Sequence, residues 1–187
     1  MKLVAMKKIL GNYIESYQEK LWKMGDTIFD YSEPSFQEVK SSHLIAQYLK
    51  ENDFAVQEGI AGLPTAFQAT YQNGDGGPSI GLLCEYDALV GMGHGCGHHL
   101  QGPAIVGAAK AIKDQIKEKP YRLTVFGTPG EETSGGKLQM VEAGCFRGLD
   151  LVIMVHGGSA TQTDVKSMAL VPAKVVFHGK TAHAAIT

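Results

Sequence analysis

Cysteine, charge and long apolar runs are all scarce in this chain, and each scarcity excludes something. Its three cysteines, Cys84, Cys96 and Cys145, are odd in number and scattered, so there is no disulfide framework. That pattern fits a reducing compartment. Charged residues make up 19% and the net charge is −2, which gives no electrostatic reason to expect a nucleic acid or an anionic membrane as partner. No apolar run is long enough to span a bilayer. The opening MKLVAMKKIL is broken too often by lysine to be a signal h-region, and no small-residue cleavage site follows it. A cytoplasmic protein is therefore expected. The glycines of Asn73 to Pro78 (NGDGGP) lack the lysine and the following helix of a phosphate loop. The histidine-x-glutamate and paired-cysteine pattern of a nucleobase deaminase is missing as well.

What is present points to a layered α/β domain. Apolar residues are 44% of the 187, enough for a real core, and the 23 glycines cluster between periodic segments. From about Lys7 to Tyr31, apolar residues from Ile9 to Phe29 recur at three and four, which predicts one amphipathic helix. Ser32-Glu33-Pro34-Ser35 ends it. A second helix is predicted from about Phe36 to Asn52. Phe54 to Glu58 and Thr65 to Gln72 alternate like strands. Ser79 to Cys84, Tyr121 to Phe126 and Leu149 to Val155 read as buried strands of a mainly parallel sheet. Helices are predicted between them, at Gln101 to Lys119 and Lys137 to Glu142, the first with Pro103 near its start. Near Thr161 the texture changes. Val165 to His178 alternates like an antiparallel strand and reads as the opening of a second domain.

The chemistry gathers at the strand ends. Gly91 to His99 (GMGHGCGHH) holds four glycines, three histidines and a cysteine in nine positions. Cysteine and histidine are the side chains best suited to zinc. Cys96 and His98, two apart, project to one side of an extended loop, and the helix that follows favours a thiolate through its dipole. Glu85-Tyr86-Asp87 ends one strand, Glu131-Glu132 follows a second, and His156 a third. Open α/β sheets bind ligands at such ends. Taken singly, Glu131-Glu132 could be a solvated turn and His156 a satisfied core histidine. Together with Cys96 and His98 they form four metal-binding side chains and one spare carboxylate. A metal with an open position activates water and polarises a carbonyl. A free carboxylate beside it can move the water's proton to a leaving nitrogen. The chemistry indicated is hydrolysis of an amide or similar acyl bond.

These motifs resemble the metallopeptidase family M20, the zinc-dependent amidohydrolases that include aminoacylases, carboxypeptidases and dipeptidases. The matching stretches are EPSFQE (Glu33–Glu38), EYDAL (Glu85–Leu89), GHGCGHH (Gly93–His99), GTPGEE (Gly127–Glu132), MVHGG (Met154–Gly158) and FHGKTAHAA (Phe177–Ala185). EYDAL with GHGCGHH looks most like the aminoacylase-1-like group acting on dipeptides and aminobenzoyl-glutamate-type amides.

The resemblance implies a three-layer α/β catalytic domain with a mixed, mainly parallel sheet over 1–160. The start of an α+β dimerisation domain would follow over 161–187. It implies Glu131 as general base, Asp87 as the residue orienting the site, and Cys96, His98, Glu132 and His156 as metal ligands. His94 receives no role. His183 would bind substrate across a dimer. The cofactor implied is one or two Zn2+, with Mn2+ an alternative, and the substrate a small N-acyl amino acid or dipeptide. A homodimer is implied for the full-length protein. Relatives run longer, return to the catalytic domain and supply a last histidine ligand there, so this chain alone is expected to have low or no activity. A catalytically silent metal-binding or dimerisation module is the competing expectation, against which the spare carboxylate Glu131 speaks.

Overall fold

The computed structural model of the chain describes residues 3–163, 173 and 175–180. Five strands form one sheet: β1 (Ala55–Glu58), β2 (Phe67–Asn73), β3 (Ser79–Cys84), β4 (Tyr121–Gly127) and β5 (Leu151–Ile153), in the order β1-β2-β4-β3-β5. β1 and β2, and β2 and β4, pair antiparallel, while β3 runs parallel to both β4 and β5. The sheet is thus mixed. Its parallel part is the part whose strand ends carry the motifs expected to bind metal.

Alternation along the strands sorts side chains onto two faces. Leu123 and Val125 of β4, with Leu82 and Cys84 of β3, join a large cluster under four helices. These are α1 (Leu3–Glu15), α2 (Gln18–Tyr31), α3 (Val39–Glu51) and α4 (His98–Gln115). Leu83 and Phe126 point the other way. They meet Met140 of α5 (Gly136–Glu142) and Ile60 and Leu63 around a short 3-10 turn. The result is three layers, as expected.

Several predicted boundaries move, for local reasons. The long N-terminal helix is two helices. The Ser16 hydroxyl donates to the Tyr13 carbonyl at 2.6 Å, competing with the backbone ladder, and the Tyr17 hydroxyl reaches across to the Gly107 carbonyl at 2.8 Å. α1 buries no residue at all. α4 starts three residues earlier than predicted. Gly97, at φ 87°, turns the chain so that its carbonyl accepts from the Leu100 and Gln101 amides. His98 is therefore in the helix, and Pro103 lies in its second turn. Ala104 is exposed, while Val106 and Gly107 are buried.

β5 departs most. Only three residues pair, and Leu151, Val152 and Ile153 are all exposed rather than buried. Of the strand predicted from Val165 to His178, residues 173 and 175–178 carry no regular structure and the rest lie outside the described residues, as does His183. The chain divides into units Met1–Gly157 and Gly158–Thr187.

Candidate metal centre

Because β4, β3 and β5 are adjacent and parallel, their C-terminal ends open onto one place. β3 delivers Glu85 and Asp87, the loop into α4 delivers Cys96 and His98, the loop after β4 delivers Glu131 and Glu132, and the chain after β5 delivers His156. Two overlapping groups result, Cys96-His98-His156 and His98-Glu131-Glu132, each with its ligand atoms within 4.8 Å of one another. All five residues expected around the metal are brought together.

Asp87 ties two of these loops together. His98 donates from Nδ1 to the Asp87 carbonyl at 2.9 Å and to Oδ1 at 3.1 Å. Its Oδ2 accepts from the Glu132 amide at 2.9 Å and from the Ser35 hydroxyl at 2.8 Å. Burial alone would raise the Asp87 pKa, but these donors outweigh it and the carboxyl sits below its ordinary range. The pairing with Asp87 fixes a proton on Nδ1 of His98 and turns Nε2 toward the cluster, while Asp87 and Glu85 outweigh burial and raise the His98 pKa. His156 is set the same way, its Nδ1 donating to the Gly157 carbonyl at 2.8 Å, and its Nε2 lies 3.5 Å from Cys96 Sγ.

The GEE loop has its own anchor. Gly130 at φ 69° packs on the Phe36 ring so closely that a Cβ there would lie 2.4 Å from Cζ. Its amide donates to the buried Glu38 carboxylate at 2.8 Å. Glu131, with 38% of its side chain exposed, reaches to 3.8 Å from His98 Nε2. Burial, with the neighbouring charges of Glu85 and Glu132, raises its pKa. Glu132 instead has a buried Oε1 without a hydrogen-bond partner.

Cys96 corrects one expectation. It stands just before a helix N-terminus, yet its thiol is pushed up to about 12, by burial first and then by Glu132, Glu131 and Glu85. Burial and the neighbouring carboxylates thus favour the thiol over the thiolate that the helix N-terminus led one to expect. His94 lies outside the cluster, donating from Nε2 to the Ile28 carbonyl at 3.0 Å.

The residues fit a metal. Glu85 Oε2 and Glu132 Oε1 are buried acceptors without a donor, and His98 Nε2 is buried without a hydrogen-bond partner. Buried polar atoms are normally paired, and acceptors facing one another need a cation. Thiolate, imidazole and carboxylate are the donor set of zinc sites. Three residues near the centre were not singled out from the sequence for a role: Glu85, its ion-pair partner Lys137, and Glu38. For Glu85 a signal existed, since residues two apart in an extended strand end share a side with Asp87.

The profile of Peptidase family M20/M25/M40 matches residues 82–185, more than half of the chain. The chain belongs to the M20 family. It is 32% identical to the Xaa-Arg dipeptidase of Mus musculus, over 98% of this chain and 46% of that protein. It is 33% identical to one of the subunits of the p-aminobenzoyl-glutamate hydrolase of Escherichia coli, over 95% of this chain and 41% of that one. The chain thus spans less than half the length of these curated relatives. Among solved structures, a Bacillus subtilis protein described as a dinuclear metal-binding peptidase of the M20 family matches with a TM-score of 0.70. The match covers 77% of this chain and 44% of that one, at 24% identity, a likeness of fold.

Proposed function

We propose that a protein carrying this chain hydrolyses the amide bond of small N-acyl amino acids or dipeptides at a divalent metal centre. One observation carries the reading: two ligand groups sharing His98 sit beside a glutamate that is partly open to solvent. The names of the relatives, a dipeptidase and an aminobenzoyl-glutamate hydrolase, support the substrate class. Cys96, His98, Glu132 and His156 would hold the metal, zinc being favoured by the soft thiolate and manganese an alternative. When bound, the metal supplies Lewis acidity toward water and the substrate carbonyl.

The chain's own residues do the rest. Glu131 takes the proton of the attacking water and passes it to the leaving nitrogen, and its partial exposure gives it access to both. Asp87 fixes the tautomer of His98 and couples it to the GEE loop. In the same reading, 1–160 belongs to a catalytic domain and 161–187 opens a dimerisation domain, with His183 reaching substrate in a homodimer of the full-length protein. A cytoplasmic location fits the free cysteines. Among the described residues, no helix is long and apolar enough to cross a membrane.

The test is a substitution at Glu131 in the metal-loaded protein, assayed on N-acetyl amino acids, dipeptides and p-aminobenzoyl-glutamate. Glu131→Gln is expected to lower turnover by about 100-fold or more while metal content is unchanged. Turnover within a few-fold of the unaltered protein would remove Glu131 as the base.

A further inference from the structure

Glu85 has no part in the reading above, yet one of its carboxylate oxygens is buried without a hydrogen-bond partner. It is fully buried at the end of β3. Its backbone amide donates to the Gln101 side chain at 2.8 Å, which pins that strand end to α4. Lys137, from the first turn of α5, bonds one carboxylate oxygen, Oε1. The other, Oε2, has no hydrogen-bond partner. It lies 3.5 Å from Nε2 of His98 and 3.9 Å from Nε2 of His156. Nδ1 of each ring bonds a carbonyl oxygen, which leaves Nε2 as the ring atom turned toward Glu85.

A purely structural ion pair would not be built this way. A buried carboxylate left to itself places both oxygens on donors. Here the lysine takes one oxygen and leaves the other aimed between two imidazoles, with no hydrogen bond to either. Charge points in the same direction. With Cys96 as thiolate, the centre gathers negative charge from Cys96, Glu85, Glu131 and Glu132 against the single cation of Lys137. Counted this way the net charge is about −3, which one divalent ion reduces to about −1 and two turn to about +1, so cation binding of either stoichiometry relieves most of the excess.

We propose that Glu85 is a fifth metal-binding side chain of this centre, joining Cys96, His98, Glu132 and His156, and that Lys137 is the positioning residue that holds its carboxylate toward the histidines. This rests on the reading of the cluster as a metal site. The assignment gives the unpartnered Oε2 a cation to meet at the place toward which Nε2 of both imidazoles also turns. It also gives α5 a task, since that helix carries the lysine.

The test is zinc binding to the metal-free 187-residue chain, followed by calorimetry, by elemental analysis and by the thermal midpoint. Glu85→Gln is expected to weaken Zn2+ binding by about tenfold or more. It is also expected to raise the metal-free midpoint, because the new amide can donate to His98 Nε2. Lys137→Met is expected to weaken binding less, and the double variant no more than Glu85→Gln alone, since the lysine acts through the glutamate. Glu85→Asp, which keeps the charge and withdraws it by one methylene, is expected to weaken binding in the same direction and serves if Glu85→Gln does not fold. Affinity and stoichiometry of Glu85→Gln equal to those of the unaltered chain would overturn the assignment, as would effects of the two positions that add. His98→Ala separates the two readings. If it abolishes binding while Glu85→Gln does not, the metal site stands and Glu85 leaves it. If the unaltered chain binds neither Zn2+ nor Mn2+, both readings fall together.

Discussion

Two glutamates are fully buried in this molecule, and they are treated in opposite ways. Glu38, beneath the GEE loop, accepts from the Phe36 and Gly130 amides at 2.8 Å each and from the Thr65 hydroxyl at 3.0 Å. Burial pushes its pKa up, and those donors work against the shift. Glu85, at the strand ends, has one lysine on one oxygen and nothing on the other. Burial alone therefore marks neither as functional. What separates them is whether the protein itself supplies the donors. Glu38 is finished by its own fold, whereas Glu85 leaves room for a cation from outside.

The sharpest way to break that contrast is to remove each carboxylate. Glu38→Leu strands three donors and is expected to cost about 3 kcal/mol or more of unfolding free energy, equally with and without zinc, as read from urea titrations. Glu85→Leu in the metal-free chain is expected to cost less than about 1 kcal/mol, because Lys137 is partly exposed and can turn to water. Equal losses would erase the distinction.

Asp87→Asn comes next. It weakens the hold on the His98 tautomer and is expected to lower zinc affinity about 10- to 100-fold, with little change in the metal-free fold. A calorimetric titration that matches the unaltered chain would deny Asp87 this role.

The proton on Cys96 gives a smaller, graded effect. Its pKa is raised, so near neutrality the folded chain holds a thiol, and a metal must displace that proton. Binding should therefore strengthen as pH rises, by up to about tenfold per pH unit from this group alone. Cys96→Ser should flatten the slope by one proton, which titrations in buffers of different ionisation enthalpy would reveal. The smallest effect is expected at Asp114 on α4, which is half-buried. Its pKa is lowered to about 2, where hydrogen bonds from Lys110, Lys113 and Tyr13 outweigh the burial that opposes them. Solvent screens this group, and Asp114→Ala is expected to cost less than about 1 kcal/mol in the same urea experiment.

Much of this was legible in the sequence. Periodicity located the helices and strands of the first 157 residues, short of the break between α1 and α2, and carboxylates and histidines at strand ends located the centre. What the sequence hid were interactions between distant residues. The break between α1 and α2 has a local part in the Ser16 hydroxyl, but its other part, the Tyr17 hydroxyl on a carbonyl of α4 90 residues on, is not visible in the local sequence. Gly97 moved the start of α4 because a left-handed glycine can open a helix as well as a loop. The thiol of Cys96 responds to carboxylates that only the fold brings near. The burial expected of Leu149 to Val155 failed because an apolar run states a preference for cover, not that cover is there.

That last strand has a practical consequence. β5 pairs with β3 on one side, and among the described residues its outer edge pairs with nothing, while Leu151, Val152 and Ile153 are 40–51% exposed. Free amides beside β-branched side chains are a template on which a further strand can grow. In a concentrated solution of this chain, the first molecules to be lost should be lost through that edge, before any part of the metal centre has unfolded. Light scattering against concentration should then rise steeply for the unaltered chain and stay flat for Val152→Lys.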